Sequence, residues 1–134
     1  MTVELISVGT EILLGNIVNT NAAYLAEKCA QLGITCYYQT VVGDNAERIK
    51  MTLEAAASRS DLIIMSGGLG PTEDDLTKEV ASEFAGKKLL LDKRSLERIK
   101  SYFEAKGITP TENNRKQAMI PEGAEIFDSR TCQQ

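Results

Sequence analysis

The chain of 134 residues contains no histidine and no tryptophan. Because histidine is absent, a Ser-His-Asp or Cys-His nucleophile and a His-ligated zinc or iron site are excluded for this chain. Acid-base chemistry therefore falls to carboxylates, lysine, tyrosine or metal-bound water. A metal held by aspartate and glutamate alone would be a hard cation such as Mg²⁺ or Mn²⁺.

Cysteine is scarce, and its positions do not form a pattern. The three cysteines are Cys29, Cys36 and Cys132, an odd number with no paired metal spacing. Cys29 falls on the apolar face of a predicted helix, which favours a small core residue over a metal ligand. We expect no disulfide.

Long apolar runs and an excess of basic residues are also missing. No apolar run approaches the ~18 residues of a membrane span, and the first residues lack the basic start of a signal peptide. We therefore expect a cytoplasmic protein with no membrane partner. Fifteen basic residues face 19 acidic ones, a net charge of −4. This balance argues against a nucleic-acid partner, since binding to the phosphate backbone relies on clustered Lys and Arg.

What the chain does contain is a regular alternation of short apolar strands and amphipathic helices. With 43% hydrophobic and 25% charged residues, it is long enough to bury the core of one globular domain. The order βαβαβα predicts a three-layer α/β/α sandwich with a mainly parallel sheet and ligands at the carboxyl ends of its strands. The predicted strands are residues 3–8, 34–42 and 62–65, and the predicted helices are 21–32, 45–59 and 76–84. Beyond them, a helix capped by Asp92 and ended by Gly107 precedes a predicted loop over 108–114.

The loop after the third strand is the most informative segment. It reads Ser66-Gly67-Gly68-Leu69-Gly70-Pro71-Thr72-Glu73-Asp74-Asp75-Leu76-Thr77. Its three glycines permit positive φ and close backbone approach, and the next helix offers N–H groups and the positive end of a dipole. The three acidic residues would repel a phosphate unless a cation intervened. The loop therefore predicts a site for a phosphorylated ligand with a divalent metal.

A simpler interpretation of the acidic residues is helix capping. Asp74 or Asp75 at an N-cap would satisfy a free N–H and contribute about 0.5–2 kcal/mol. Three consecutive acids nevertheless exceed what one cap requires. The loop also lacks the Gly-Lys-Ser/Thr ending of a P-loop, and Glu73 stands where a dinucleotide fingerprint has its third glycine. Neither a P-loop kinase nor a Rossmann dehydrogenase is supported.

A second polar loop follows the first strand and is expected at the same edge of the sheet. Its candidates for the same ligand are Gly9, Thr10, Glu11, Asn16, Asn19 and Asn21. Alternatively, Asn19, Thr20 or Asn21 caps the next helix, and Gly9 is a plain turn residue. Asp44, at the end of the second strand, either joins the acidic cluster or caps the helix after it, and the cap is the slightly favoured alternative.

Several separated segments together resemble the N-terminal domain of the competence/damage-inducible protein A (CinA) family. These segments are residues 9–15, 19–21, 42–44, 66–77 and 113–118. That domain is similar to the molybdopterin-binding domains of molybdenum-cofactor biosynthesis. The resemblance implies a three-layer α/β fold and a metal-dependent ADP-ribose pyrophosphatase activity. In the molybdopterin relatives the glycine loop and its acidic residue lie in the pterin-phosphate and nucleotide site, a pattern matched here by Gly67, Gly68, Gly70, Asp75 and Thr77.

The resemblance and the loop chemistry lead to one set of expected site residues. The catalytic carboxylates are Asp75, Asp74 and Glu11, and the residues that hold Mg²⁺ or a similar ion are Asp44, Asp74 and Asp75. The ligand-binding residues are Gly9, Thr10, Asn16, Asn21, Ser66, Gly67, Gly68, Gly70, Pro71, Thr72 and Thr77. The expected ligand is ADP-ribose, a nucleotide or a pterin phosphate. The alternative is a non-catalytic module that binds a pterin or nucleotide, or that serves only in protein association.

The chain departs from the family after residues 121–123. Family members continue into a turn, a further strand and a Pro-Gly-x-Pro loop, whereas this chain continues through residues 125–134 and stops. We therefore expect a single domain, residues 1–134, that is shortened at its C-terminal end and lacks the family's nicotinamide-nucleotide amidase domain. The missing strands would leave a sheet edge that a second copy could cover, which predicts a homo-oligomer.

Overall fold

The computed structural model describes residues 1–127, which form a parallel sheet with helices on both faces and a smaller second unit. The parallel sheet has the order β2-β1-β3, with β1 Thr2–Val8, β2 Thr35–Val42 and β3 Leu62–Ser66. The helices among and after these strands are α1 Thr10–Leu13, α2 Thr20–Gln31, α3 Ala46–Arg59 and α4 Thr77–Phe84. The second unit contains β4 Leu89–Leu91, α5 Lys93–Ala105, α6 Glu112–Arg115, a 3₁₀ turn Lys116–Ala118 and β5 Met119–Pro121.

The central strand β1 is buried on both faces, although Glu4 and Ser7 interrupt its apolar residues. Val3 and Leu5 pack against Cys29 of α2 on one face. Ile6 packs with Ile49 of α3 on the opposite face, because successive side chains of a strand point to opposite sides. The predicted three-layer α/β/α sandwich and the core position of Cys29 are confirmed.

The parallel pairing brings the predicted site loops to one edge. Leu5 of β1 lies opposite Gln39 of β2 and Ile64 of β3, and both neighbouring strands run parallel to β1. Parallel neighbours need crossover connections, and α2 and α3 occupy those connections. The carboxyl ends of all three strands therefore lie at the same edge, followed by the loops that carry the polar residues.

The second unit differs from the sequence prediction in two places. Residues 108–114 were predicted to be a loop, but α6 begins at Glu112. β5 was not predicted, and it pairs antiparallel with β4, with Met119 opposite Leu91. A three-residue strand has too short a pattern to be recognised, and it forms because a partner strand is present.

Helix ends follow local chemistry at most predicted positions. The side chain of Asn19 accepts the N–H of Ala22 and caps α2, and the side chain of Asp92 accepts the N–H of Ser95 and caps α5. Gly33, which follows α2, has a φ of +75°, the left-handed conformation expected after a helix. The favoured role of Asp44 as the cap of α3 is wrong, because the neighbouring Asn45 takes that role.

We expect Asn45→Ala to lower the free energy of unfolding by about 1 kcal/mol, through loss of the α3 cap. The Asn45 side chain accepts the N–H of Arg48 at 3.0 Å, and alanine has no acceptor. Urea denaturation measures the change. The matched variant Asn45→Asp keeps a side-chain oxygen for the Arg48 N–H and should leave the free energy of unfolding nearly unchanged. Equal losses in the two variants would show that the side-chain cap at Asn45 does not stabilise α3.

An ion pair is buried against β1. Glu4 is 0% exposed, and its carboxylate accepts hydrogen bonds from Arg59 Nη2 at 2.7 Å and Arg59 Nε at 3.0 Å. The Arg59 guanidinium lies 3.6 Å from the centre of the Tyr38 ring, and Ser60 Oγ donates to the same carboxylate at 3.3 Å. The hydrogen bonds from Arg59 hold the pKa of Glu4 below its usual value, although burial acts in the opposite direction. The charge on the central strand is thus compensated.

The remaining expectations concern membrane-spanning helices and the last residues of the chain. Of the helices within residues 1–127, none is long and apolar enough to cross a membrane. Cys132 and the departure from the family over residues 128–134 lie outside the described residues, so the expectations placed on them stay predictions.

Candidate functional site

Two adjacent glycines at the end of β3 define the backbone of the glycine loop. Gly67 has φ +83° and Gly68 has φ +65°, both in the left-handed region. A Cβ added to Gly67 would lie 2.1 Å from the carbonyl oxygen of Val8, the last residue of β1. A Cβ added to Gly68 would lie 2.2 Å from Thr77 Oγ1. The overlap at Gly67 is with strand backbone, whereas the overlap at Gly68 is with a side chain, and the glycine loop lies directly against the end of β1.

Thr77 ties this glycine pair to the start of α4. Its buried hydroxyl donates to the carbonyl of Gly67 at 2.7 Å, and its N–H donates to the carbonyl of Gly68 at 3.2 Å. The first-turn N–H groups of a helix lack intrahelical acceptors and carry the positive end of the helix dipole. The loop therefore ends at the start of a helix, the backbone arrangement on which the predicted anion site depends, and the anion site itself stays a prediction.

Asp75 shapes the acidic turn, residues 72–75, and does not cap α4. Its carboxylate accepts the N–H of Thr72 at 3.0 Å and the Thr72 hydroxyl at 2.7 Å, with a further backbone hydrogen bond from Gly70. The Thr72 hydroxyl is the main reason that the pKa of Asp75 lies below its usual value. The N-cap of α4 is Leu76, which supplies no side-chain bond, so capping by Asp74 or Asp75 is wrong.

Two polar residues, Thr10 after β1 and Asp44 after β2, connect the carboxyl ends of these strands. The backbone N–H and the hydroxyl of Thr10 both donate to Asp44 Oδ2 at 3.2 Å, and the Asp44 N–H donates back to Thr10 Oγ1 at 3.2 Å. The Glu11 carboxylate folds over Gly9, where an added Cβ would lie 2.6 Å from Glu11 Oε1. Asp44 therefore fixes the loop that follows β1, and Asn45 caps α3.

The remaining predicted residues lie along the same edge but differ in exposure. Asn19, besides capping α2, donates from Nδ2 to Ser7 Oγ on β1 at 2.9 Å. The exposed predicted residues are Asn16, Asn21, Thr72 and Asp74, and the partly buried ones are Ser66, Gly70 and Pro71. A groove of ≈ 390 Å³ between α3 and α4 is not lined by any of the predicted site residues.

The carboxylates do not form a ready-made metal cage. Within residues 1–127, no group of three or more Cys, Asp or Glu side chains is placed to hold a metal ion. The expected trio Asp44, Asp74 and Asp75 is therefore not assembled as a protein-only site. Mg²⁺, however, is commonly held by one or two carboxylates together with substrate phosphates. A cation at this edge of the sheet would therefore need ligand oxygens in addition to these carboxylates.

Lys116 contacts the acidic turn and was not assigned a role by sequence reasoning. Its Nζ donates to the carbonyl of Thr72 at 2.6 Å and to the carbonyl of Asp75, and it lies 3.6 Å from Glu79 Oε1. Lys78 Nζ donates in turn to the carbonyl of Lys116 at 2.8 Å, and burial lowers the pKa of Lys78. The sequence did mark the segment that contains Lys116, since residues 113–118 belong to the segments that carry the family resemblance.

Comparison with known proteins shows the structural class of this domain. The family model described as "Probable molybdopterin binding domain" matches residues 4–126. The chain is also similar to the crystal structure of the molybdopterin biosynthesis enzyme MoaB from Thermus thermophilus, with a TM-score of 0.59, 22% identity, and coverage of 90% of this chain and 78% of that one. The protein is thus an α/β domain of the molybdopterin-binding class, with its glycine loop at the carboxyl edge of a parallel sheet.

Closer relatives define the family. A CinA-like protein of Dictyoglomus thermophilum is 58% identical over 127 residues, which are 95% of this chain and 31% of that protein. The crystal structure of CinA from Thermoplasma acidophilum gives a TM-score of 0.85 at 34% identity and covers 97% of this chain and 76% of that one. The chain belongs to the CinA family, as the resemblance of its motifs predicted. It spans about a third of the length of the curated relatives it matches.

Proposed function

We propose that this domain binds a nucleotide diphosphate at the glycine loop and hydrolyses the diphosphate bond of ADP-ribose to AMP and ribose phosphate. The observation that carries the proposal is the left-handed pair Gly67 and Gly68, placed between the end of β3 and the start of α4 and packed against Val8. Glycine-rich backbone at a helix N-terminus is a recurring phosphate site. The relatives' names support a CinA-type domain, and the activity itself is our inference from family resemblance.

In this proposal the backbone binds and the exposed acids perform the chemistry. Loop N–H groups and the first turn of α4 would receive phosphate oxygens and stabilise negative charge that develops there. A bound divalent cation would neutralise the diphosphate and lower the pKa of an attacking water. Asp74 is exposed, whereas the Asp75 carboxylate already accepts bonds from Thr72. Asp74 is therefore the better candidate for contact with the ligand and its cation.

A second candidate function is ligand binding without turnover. It is favoured by the same engagement of Asp75 in the turn and by the lack of an assembled carboxylate trio within residues 1–127. A pterin phosphate or nucleotide would then be bound by the backbone alone. Thermal shift and product analysis separate the two functions, because a ligand at 100 times its dissociation constant adds about 2.7 kcal/mol of apparent stability whether or not it is cleaved.

We expect the parent protein to release AMP from ADP-ribose in the presence of Mg²⁺, and EDTA to abolish that release. Asp74→Asn should lower turnover by about 100-fold or more, through loss of a carboxylate that acts on the diphosphate. Chromatographic detection of AMP measures both effects. Since Asp74 is exposed, the substitution should change the free energy of unfolding of the domain by less than about 0.5 kcal/mol.

The matched control for this experiment is Asp75→Asn, which keeps an oxygen for the Thr72 donors and so preserves the turn. If Asp75 only shapes the turn, turnover stays within about tenfold of the parent. A loss of turnover in Asp75→Asn with full activity in Asp74→Asn would reverse the two assignments. A thermal shift with ADP-ribose in the absence of AMP release would favour the binding module.

A further inference from the structure

The acidic turn, defined as residues 72–75, is held from a distant part of the chain. Lys116 is 44 residues after Thr72 in sequence, yet its Nζ donates to the carbonyl of Thr72 at 2.6 Å and to the carbonyl of Asp75. These two carbonyls begin and end the turn. One ammonium group therefore joins both ends of the turn.

The contacts of Lys116 complement those of Asp75. The Asp75 carboxylate takes the N–H and hydroxyl donors of Thr72, and Lys116 donates to the backbone acceptors of the same two residues. A lysine ammonium has three donors and no acceptor, which suits it to a cluster of carbonyls. The donors and the acceptors of the turn are thus satisfied by two side chains of opposite charge.

The position of Lys116 is itself fixed by α4. Lys78 Nζ donates to the carbonyls of Lys116 and Gln117 at 2.8 and 3.3 Å, and Glu79 Oε1 lies 3.6 Å from Lys116 Nζ. Both Lys78 and Glu79 lie in the first turn of α4, directly after the glycine loop. The 3₁₀ turn, the start of α4 and the acidic turn are therefore connected by charged side chains.

We propose that Lys116 is a positioning residue of the glycine-loop site, which holds the acidic turn in the conformation that binds the phosphorylated ligand. The inference rests on the proposed function for the ligand, but the hold of Lys116 on the turn is separate from it. Without the ammonium, the Thr72 and Asp75 carbonyls lose a charged donor and the turn samples other conformations. Ligand affinity then falls because the binding-competent fraction falls.

The experiment compares Lys116→Met with the parent and with Lys100→Met, which removes the same charge from an exposed position on α5. Hydrogen exchange followed by mass spectrometry reports on the turn without any ligand. Faster exchange over residues 70–76 is expected in Lys116→Met, with unchanged exchange over α3. Titration with AMP and with ADP-ribose, at a temperature where every variant is folded, should show affinity lowered about tenfold in Lys116→Met and unchanged in Lys100→Met.

Two further variants keep the test decisive. Lys116→Met removes the ammonium that lies 3.6 Å from Glu79 Oε1, so Lys116→Met/Glu79→Gln provides a second variant for the test if the single variant unfolds. Lys116→Arg retains N–H donors and should recover at least part of the lost affinity, which a change in overall stability alone would not explain. Unchanged exchange over residues 70–76 overturns the role of Lys116. A parent protein that binds neither nucleotide overturns the proposed function instead, and the exchange result still decides whether Lys116 holds the turn.

Discussion

Gly67→Ala should lower the free energy of unfolding by about 2–5 kcal/mol, a large part of the stability of a domain of this size. The native φ of +83° costs an L-residue about 1–2 kcal/mol. A Cβ at this position would also lie 2.1 Å from the carbonyl oxygen of Val8, which belongs to the backbone of the central strand. That oxygen cannot move without disturbing β1, so the overlap adds to the cost.

Gly33→Ala is the matched control for this prediction. Gly33 has φ +75°, and no neighbouring atom lies within 4 Å of an added Cβ. The control therefore carries the strain of the left-handed backbone without the overlap, and should cost only about 1–2 kcal/mol. Urea denaturation of both variants measures the difference. Equal losses in the two variants would show that β1 and the glycine loop separate easily.

The neighbouring position tests the loop as a ligand site. Gly68→Val places its added atoms against Thr77, a side chain, instead of against strand backbone. Ligand binding should therefore fail before folding does, and the AMP-induced thermal shift should disappear while the variant stays folded. Gly33→Ala should keep the shift. Unchanged affinity of Gly68→Val for phosphate-containing ligands would mean that the loop is not the binding site.

Arg59→Met should lower the melting temperature by roughly 10 °C at neutral pH, because Glu4 then keeps a buried charge without its counterion. The Glu4 side chain is 0% exposed, so water cannot replace the guanidinium around it. The Arg59 side chain is 38% exposed, and solvent screening places the expected loss at the lower end for a broken buried pair. Differential scanning calorimetry measures the change.

The pH dependence of this variant has a defined sign. In the parent, hydrogen bonds from Arg59 hold the pKa of Glu4 below its ordinary value of 4.5. The stabilisation is therefore complete above the unfolded-state pKa and is lost as the pH falls through the lower folded-state pKa. In Arg59→Met, burial raises the pKa of Glu4 without the opposing hydrogen bonds from Arg59. Protonation of Glu4 then removes the buried charge as the pH falls, which reduces the loss of stability. The gap between the two melting temperatures should narrow from about pH 7 to pH 3.5.

A double variant provides the control for the ion pair. Glu4→Leu/Arg59→Met removes both charges and should recover most of the lost stability, since apolar replacement of a buried pair is often neutral or stabilising. A double variant as unstable as Arg59→Met would assign the loss to the contact between Arg59 and the Tyr38 ring instead.

The sequence was sufficient to predict helix ends that depend on one short segment. The cap at Asp92 was anticipated, and Asn19 was one of three residues considered for the cap of α2, because a cap depends on residues within one helical turn. The cap of α3 shows the limit of this reasoning. Asp44 and Asn45 are equally good caps by type, and the bonds between Asp44 and Thr10, 34 residues away, left the cap to Asn45.

By itself, the sequence determined the alternation of strands and helices, the mainly parallel sheet, and the glycine loop that follows β3. These features follow from hydrophobic periodicity and from the freedom of glycine, which act over a few residues. Only the tertiary structure decided that Asp75 is engaged by Thr72, that Lys116 joins the ends of the acidic turn, and that Glu4 is paired with Arg59. The physical reason is distance along the chain: Lys116 and Thr72 are 44 residues apart, and Glu4 and Arg59 are 55. Such side chains meet only after the crossovers have packed against the sheet, and their geometry leaves no local pattern in the sequence.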